Sequence, residues 1–196
     1  MKERGGALAS GDVAEEGRLA SQPRDAESTL AKAVEMAEKA LREIGVEFRR
    51  DEGKGFVDFI VSVDDLVKAA EALKAAGFDH VVSVTAVDYP KERKFRVVYH
   101  VSSYLDPHLK GAIVGLGVEI PRVEKPSMPS LSQVWVSAEF QEREVYEFFG
   151  IEFEGHTDLR PLLLTPPVAE KRPLRKDFVV REESIYEGVP KEWSKA

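Results

Sequence analysis

Three runs patterned for β-strands lie between residues 78 and 120, and they restrict the fold more than any other feature of the chain. "FDHVVSVTAVDYP" (78–90) reads as a strand running into a Pro turn, and "KFRVVYHVSS" (94–103) alternates Phe95, Val97, Tyr99 and Val101. "AIVGLGVEI" (112–120) is a third strand interrupted by glycine. Together they predict an antiparallel meander, set beside an earlier β-branched and aromatic strand, "FVDFIVSV" (56–63). Helical periods flank these strands. Leu30, Val34, Ala37, Leu41 and Ile44 step by four and three from a candidate cap at Ser28 to Gly45. Asp64 is the candidate cap of a second helix that turns Leu66, Ala69, Ala70 and Leu73 inward and stops at Gly77. The three prolines of "PRVEKPSMPS" (121–130) make an extended connector, after which residues 131–149 read as a third helix, with Ser132 as cap and Gly150 as the residue that ends it. The fold class is therefore α+β: a small antiparallel or mixed sheet packed with helices, plus an extended C-terminal arm.

At 196 residues and 43% hydrophobic, the chain suffices for one domain with appendages. Residues 1–26 mix Gly, Ala, Ser and charges without a sustained period and predict a disordered tail. Residues 27–150 form the α+β domain. Residues 151–196 are proline-broken and have neither a convincing helical or strand period nor a core of their own, so they predict an arm that lies on something else. The net charge is −7, with basic residues scattered among acidic ones, which argues against a nucleic-acid partner. Without cysteine, the chain can form no disulfide, thiolate zinc site or cysteine-ligated iron–sulfur cluster. No apolar core of a signal peptide opens the sequence, and no run of roughly 18 apolar residues suits a membrane span. The expectation is an intracellular chain without direct membrane insertion.

One stretch concentrates chemistry: "EREVYEFFGIEFEGHTDLRPLLL" (142–164). His156 and Asp158, near Glu152 and Glu154, could ligate a metal, which leaves open a free-standing metal-dependent enzyme, although no third ligand follows at a recognisable spacing. His80, His100 and His108 are scattered. Ser83, Ser102 and Ser103 have no evident paired base, and no phosphate loop or nucleophile elbow is present. Within the third helix, Glu139, Arg143 and Glu147 fall at i, i+4 and i+8, with Glu142 beside Glu139, a ladder that brackets one Arg with two carboxylates. The opposite stripe carries Phe140, Val145, Phe148 and Phe149. A later cluster, "RPLRKDF" (172–178), sets charges among Pro, Leu and Phe in the coreless arm, a composition that suits a protein–protein interface.

These two clusters resemble the signature of the C-type, 30 kDa-like hydrophilic subunit of respiratory complex I (NADH:quinone oxidoreductase) and its counterparts in membrane-bound nickel–iron hydrogenase and sulfur-reductase type complexes. The family pattern E-R-E-x-Y/W-D-x-F-G-I, F-x-G-H-P-D-L-R-R and P-L-R-K-D-F/Y is matched here at most positions, and "TAVDYPKERKFRVVYHVSS" (85–103) and "PSLSQVW" (129–135) are similar to its upstream strands and helix entry. The resemblance spans about residues 78–180. Glu147 in place of Asp, Thr157 in place of Pro, Pro161 in place of the second Arg, and the absence of Gly-His before Pro173 resemble the hydrogenase or sulfur-reductase branch. The resemblance implies a structural subunit with no cofactor, no metal and no catalytic residue of its own. It would dock to a large catalytic subunit related to that of nickel–iron hydrogenase, with iron–sulfur clusters in neighbouring subunits, on the cytoplasmic side of an ion-pumping complex. By matching positions it places Glu142, Arg143, Glu144, Tyr146, Gly150, His156, Asp158 and Arg160, with Pro173, Leu174, Arg175, Lys176, Asp177 and Phe178, at or supporting that interface.

Overall fold

The computed structural model describes residues 23–53 and 55–179; the expected disordered tail up to residue 22 and the end of the arm from residue 180 lie outside the described residues. The elements in order are α1 (Pro23–Glu43), β1 (Phe48–Glu52), β2 (Val57–Val61), α2 (Leu66–Ala75), β3 (His80–Tyr89), β4 (Lys94–Ser102) and β5 (Val114–Pro121). Then come β6 (Ser127–Pro129), a 3-10 turn (Val136–Ala138), α3 (Glu139–Phe149), β7 (Glu152–Glu154) and a one-turn helix, α4 (Pro166–Ala169).

A five-stranded mixed sheet in the order β1-β2-β5-β4-β3 forms the centre. The expected meander is there: β3, β4 and β5 pair antiparallel, and β2 joins β5 in parallel. Phe95, Val97, Tyr99 and Val101 of β4 and Val114, Leu116, Val118 and Ile120 of β5 are buried in one cluster with Ala33, Val34, Ala37 and Leu41 of α1 and Leu66, Ala69, Ala70 and Leu73 of α2. The inward faces of both helices are thus those the periodicity selects. Val98 and Ile60 are buried but stand outside that cluster, on the other face of the sheet.

Four expectations change. Helix α1 begins five residues before Ser28, at Pro23, where a missing N–H breaks no intrahelical bond, and so takes in residues 23–26 of the expected tail. In place of an Asp64 cap, Ser62 and Asp65 close the turn before α2, through Ser62 Oγ–Asp65 Oδ2 (2.8 Å) and the Asp65 amide on Ser62 Oγ (3.1 Å). The third helix does not start at Leu131. Trp135 takes an extended conformation that buries its ring and lets its indole N–H donate to the Phe78 carbonyl (2.8 Å), so the α-helix begins only at Glu139 and Ser132 pairs with Ser130 instead of capping. The region after Ile151 contains a short strand, β7, parallel to the end of the connector, and the single turn α4. The edge strand β1 (FRRDE) has no counterpart among the expected elements, because its charges obscure the β pattern and suit an exposed edge.

Edge strand β3 is covered from the other side. The amides of Val81 and Val84 donate to Ser137 Oγ (2.9 Å) and Gln141 Oε1 (2.7 Å), so the 3-10 turn and α3 take the place of a neighbouring strand. This docks α3 at the sheet edge with its charged face toward the arm.

Candidate functional site

Helix α3 buries three charged side chains: Glu142 and Glu147 are fully inaccessible and Arg143 is 7% exposed. Buried charges need partners, and each finds them outside the helix. Glu142 accepts from Tyr99 Oη (2.9 Å), Ser130 Oγ (2.5 Å) and the Leu131 amide (2.8 Å), tying β4, the connector and α3 at one point. Burial nevertheless raises its pKa above the usual carboxylate range, and burial together with the Glu142 carboxylate pushes the Tyr99 phenol well above its own.

The expected Glu139–Arg143–Glu147 ladder is not formed; the side chains of Arg143 and Glu147 reach the arm instead. Arg143 donates from Nε to the Arg160 carbonyl (3.0 Å) and from Nη2 to the Pro161 carbonyl (3.3 Å), and its ion pair is with Asp158 (3.6 Å). Glu147 receives three consecutive backbone amides, those of Leu162 (2.9 Å), Leu163 (3.0 Å) and Leu164 (3.0 Å). His156 completes this clasp. Its Nδ1 accepts from the Asp158 amide (3.1 Å), which fixes the tautomer in which Nε2–H donates to the Glu139 carbonyl (3.0 Å). With both ring nitrogens occupied and Asp158 paired to Arg160 (2.9 Å), the pair that could have ligated a metal is a structural latch. Among the described residues no group of three or more His, Asp or Glu side chains could hold a metal ion.

The second cluster, 172–178, closes the other end of the helix. Helix C-termini leave carbonyls without intrahelical donors, and here the Leu174 amide donates to Phe148 O (3.2 Å) and Arg175 Nε to Phe149 O (2.6 Å). Arg175 also reaches the Glu124 carbonyl (3.3 Å) and lies over the Phe95 ring. Gly150 has φ +70 as expected of the terminating residue, and a Cβ there would meet Arg172 Nε at 2.4 Å. Asp88 holds both Arg122 (2.7 Å) and the Lys176 amide (2.9 Å), while Arg122 pairs with Asp177 (3.0 Å) and lowers its pKa.

The arm up to Phe178 therefore lies on its own domain, where the sequence offers only a partner as its support. Of the fourteen positions singled out, Glu142, Arg143 and Gly150 are buried; Glu144, Tyr146, His156, Asp158, Pro173, Arg175 and Phe178 are half-buried; and Arg160, Leu174, Lys176 and Asp177 are exposed. Phe140, Leu163 and Leu174 present apolar side chains to solvent on the same helix and arm. Sequence reasoning missed Asp88, Arg122, Tyr99 and Ser130 as anchors; Asp88 and Tyr99 sit within motifs that read only as strand. Ser83, read as having no paired base, lies 2.9 Å from His100 Nδ1.

Fold and clasp define an α+β domain on which the C-terminal arm is held through side chains of α3 and of residues 172–178. The chain belongs to the family of the respiratory-chain NADH dehydrogenase 30 Kd subunit, which residues 59–184 match. It is 37% identical over 131 residues to the C-type subunit of the F(420)H(2) dehydrogenase of Methanosarcina mazei, covering 66% of this chain and 75% of that protein. It is 36% identical over 133 residues to the C-type subunit of the NADH-quinone oxidoreductase of Moorella thermoacetica, covering 67% and 86%. Among solved structures it is similar to a chain of the membrane-bound sulfane sulfur reductase, an archaeal respiratory membrane complex (28% identity, TM-score 0.67, 81% of this chain and 91% of that one). It is also similar to a trypsin-resistant fragment of Nqo5 (32% identity, TM-score 0.54, 65% and 99%). The chain is thus a subunit of a complex I-like or related membrane-bound respiratory complex. Among the described residues no helix is long and apolar enough to cross a membrane.

Proposed function

We propose that this chain is a scaffold without a cofactor of its own, on the cytoplasmic side of a complex I-like or membrane-bound hydrogenase/sulfur-reductase type complex, where it docks a large catalytic subunit related to that of nickel–iron hydrogenase. The observation that carries this reading is the clasp of α3 and the arm. Charged side chains are sequestered to rigidify a surface from which Phe140, Leu163, Leu174, Arg160 and Lys176 project. Apolar side chains rimmed by charge are what a protein interface uses. Glu142, Arg143, Glu147, His156 and Arg175 hold that surface; Tyr146, Asp158, Pro173, Asp177 and Phe178 flank it. The iron–sulfur clusters and the redox chemistry belong to neighbouring subunits, and this chain contributes position. Purification of the native complex through a tag on this chain tests the reading. A hydrogenase-like large subunit and iron–sulfur subunits should co-purify in stoichiometric amounts, and a tagged chain recovered alone from cells that contain the assembled complex would overturn it.

A further inference from the structure

The sheet face opposite the core is not covered by any described helix, and its register builds a groove. Along one row, Asp51 of β1 stands opposite Asp58 of β2, Asp58 opposite Gly115 of β5, Gly115 opposite His100 of β4, and His100 opposite Ser83 of β3. Gly115 has no side chain to fill the middle of that row, and the Asp58 carboxylate lies across it; a Cβ on Gly115 would meet Asp58 Oδ1 at 1.9 Å. The result is a cavity of about 290 Å³ with Phe56, Val87 and Val98 among its apolar lining and Asp58, Arg96 and His100 among its polar lining.

The charges around this cavity are matched except one. Arg96 is held by Asp51 (2.7 Å) and Glu119 (2.7 Å), and Glu119 also takes Lys94 (3.1 Å) and Arg49 (2.9 Å). His100 engages Ser83 through Nδ1, and its Nε2 stands 3.9 Å from Asp58 Oδ1, beyond hydrogen-bond reach. Asp58 is 7% exposed, and its Oδ1 is the one buried side-chain polar atom without a hydrogen-bond partner among the described residues.

We infer that this groove receives a basic side chain, Lys or Arg, from a neighbouring subunit of the complex, with its aliphatic stem along Val98, Val87 and Phe56 and its cationic head on Asp58. The inference rests on the proposed role of the chain as a docking subunit and adds a second contact on the face away from the arm. A cation fits better than a neutral donor, because Asp58 stands opposite another carboxylate, Asp51, whose own counter-charge is already engaged. A cavity of this size takes one long side chain, and Lys and Arg lay apolar stems on apolar walls while the head finds charge.

Two measurements on the assembled complex and the free full-length chain test it. Diethylpyrocarbonate should modify His100 in the free chain and leave it protected in the complex. Asp58→Asn keeps an acceptor and removes the charge, so it should lower incorporation of the chain by roughly 30-fold or more, as loss of a desolvated charge pair does. The free variant should melt like the wild type. Equal reactivity of His100 in both states, which needs no variant to fold, would overturn the inference. Normal incorporation of Asp58→Asn would overturn it too, since a neutral donor would then suffice. If the wild-type chain assembles while His100 stays reactive, only this inference falls; if the wild-type chain enters no complex, the docking role falls with it.

Discussion

Replacing Glu147 by Ala removes the acceptor of three consecutive arm amides and separates two accounts of α3. If Glu147 served only in a helical ladder with Arg143, the loss would be about 0.3–0.5 kcal/mol, roughly a twofold change in any opening equilibrium. In the structure it is fully buried and receives Leu162, Leu163 and Leu164 within 3.0 Å. A single hydrogen bond to a charged group contributes about 1.5–3 kcal/mol net, and the three are not additive because they share one carboxylate. The arm amides are only partly buried and regain water once the segment lifts, which limits the loss to that of local undocking. The expected cost is about 2–4 kcal/mol, or roughly 30- to 1,000-fold faster exchange at these amides at ~1.4 kcal/mol per decade. Hydrogen exchange of the full chain, followed by mass spectrometry under conditions where reclosing outpaces exchange, reads this directly. Protection should fall over 160–165 while the sheet amides of β4 and β5 keep theirs. Exchange within about twofold of wild type at Leu162–Leu164 would refute the clasp.

Glu142→Gln should change the pH profile of stability. Because the folded-state pKa of Glu142 is raised above its ordinary 4.5, chiefly by burial, the folded chain holds a proton that the unfolded chain releases. The stability of wild type relative to the Gln variant should therefore fall as pH rises from about 4.5 through the folded pKa, whereas the depressed carboxylates Glu119 and Asp177 act with the opposite sign below that window. Chemical denaturation at a series of pH values decides it, and a difference that is flat or grows with pH contradicts the assignment. Gly150→Ala combines a left-handed φ with a Cβ placed against Arg172, so we expect a loss of about 1–3 kcal/mol, seen as a lower melting temperature together with loosening of 172–175. A neutral substitution would show that the helix end relaxes freely.

The sequence carried the parts of this fold that depend on local period. The inward faces of α1 and α2, the four inner strands and the stop at Gly150 each follow from side-chain spacing or from a conformation that glycine alone adopts easily. Strand β1 was hidden because Arg49, Arg50, Asp51 and Glu52 are tolerated at an exposed edge whatever their strand propensity. The delayed start of α3 was hidden for another reason: burial of Trp135 and Leu131 overrides a helical pattern that is locally sound. In the site, the sequence set Arg143 between Glu139 and Glu147 on one helical face, whereas the structure gives Arg143 and Glu147 partners in residues 158–164, since intrahelical spacing is visible in a chain and contact with the arm is not. The row Asp58–Gly115–His100 is invisible for the same reason, because it exists only once three strands are in register.

The central claim is that α3 and the arm form the surface on which a large catalytic subunit docks. Cross-linking of the native complex with a lysine-reactive reagent, with the linked peptides identified by mass spectrometry, tests it most directly. Lys176 in the arm and Lys125 in the connector beside Arg175 are both exposed and report on this surface, while Lys32 and Lys39 report on the exposed side of α1. We predict links from Lys176 and Lys125 to the hydrogenase-like large subunit. If that subunit instead links only to Lys32 and Lys39, with Lys176 and Lys125 bearing only singly reacted reagent, the docking face lies elsewhere and the account is contradicted.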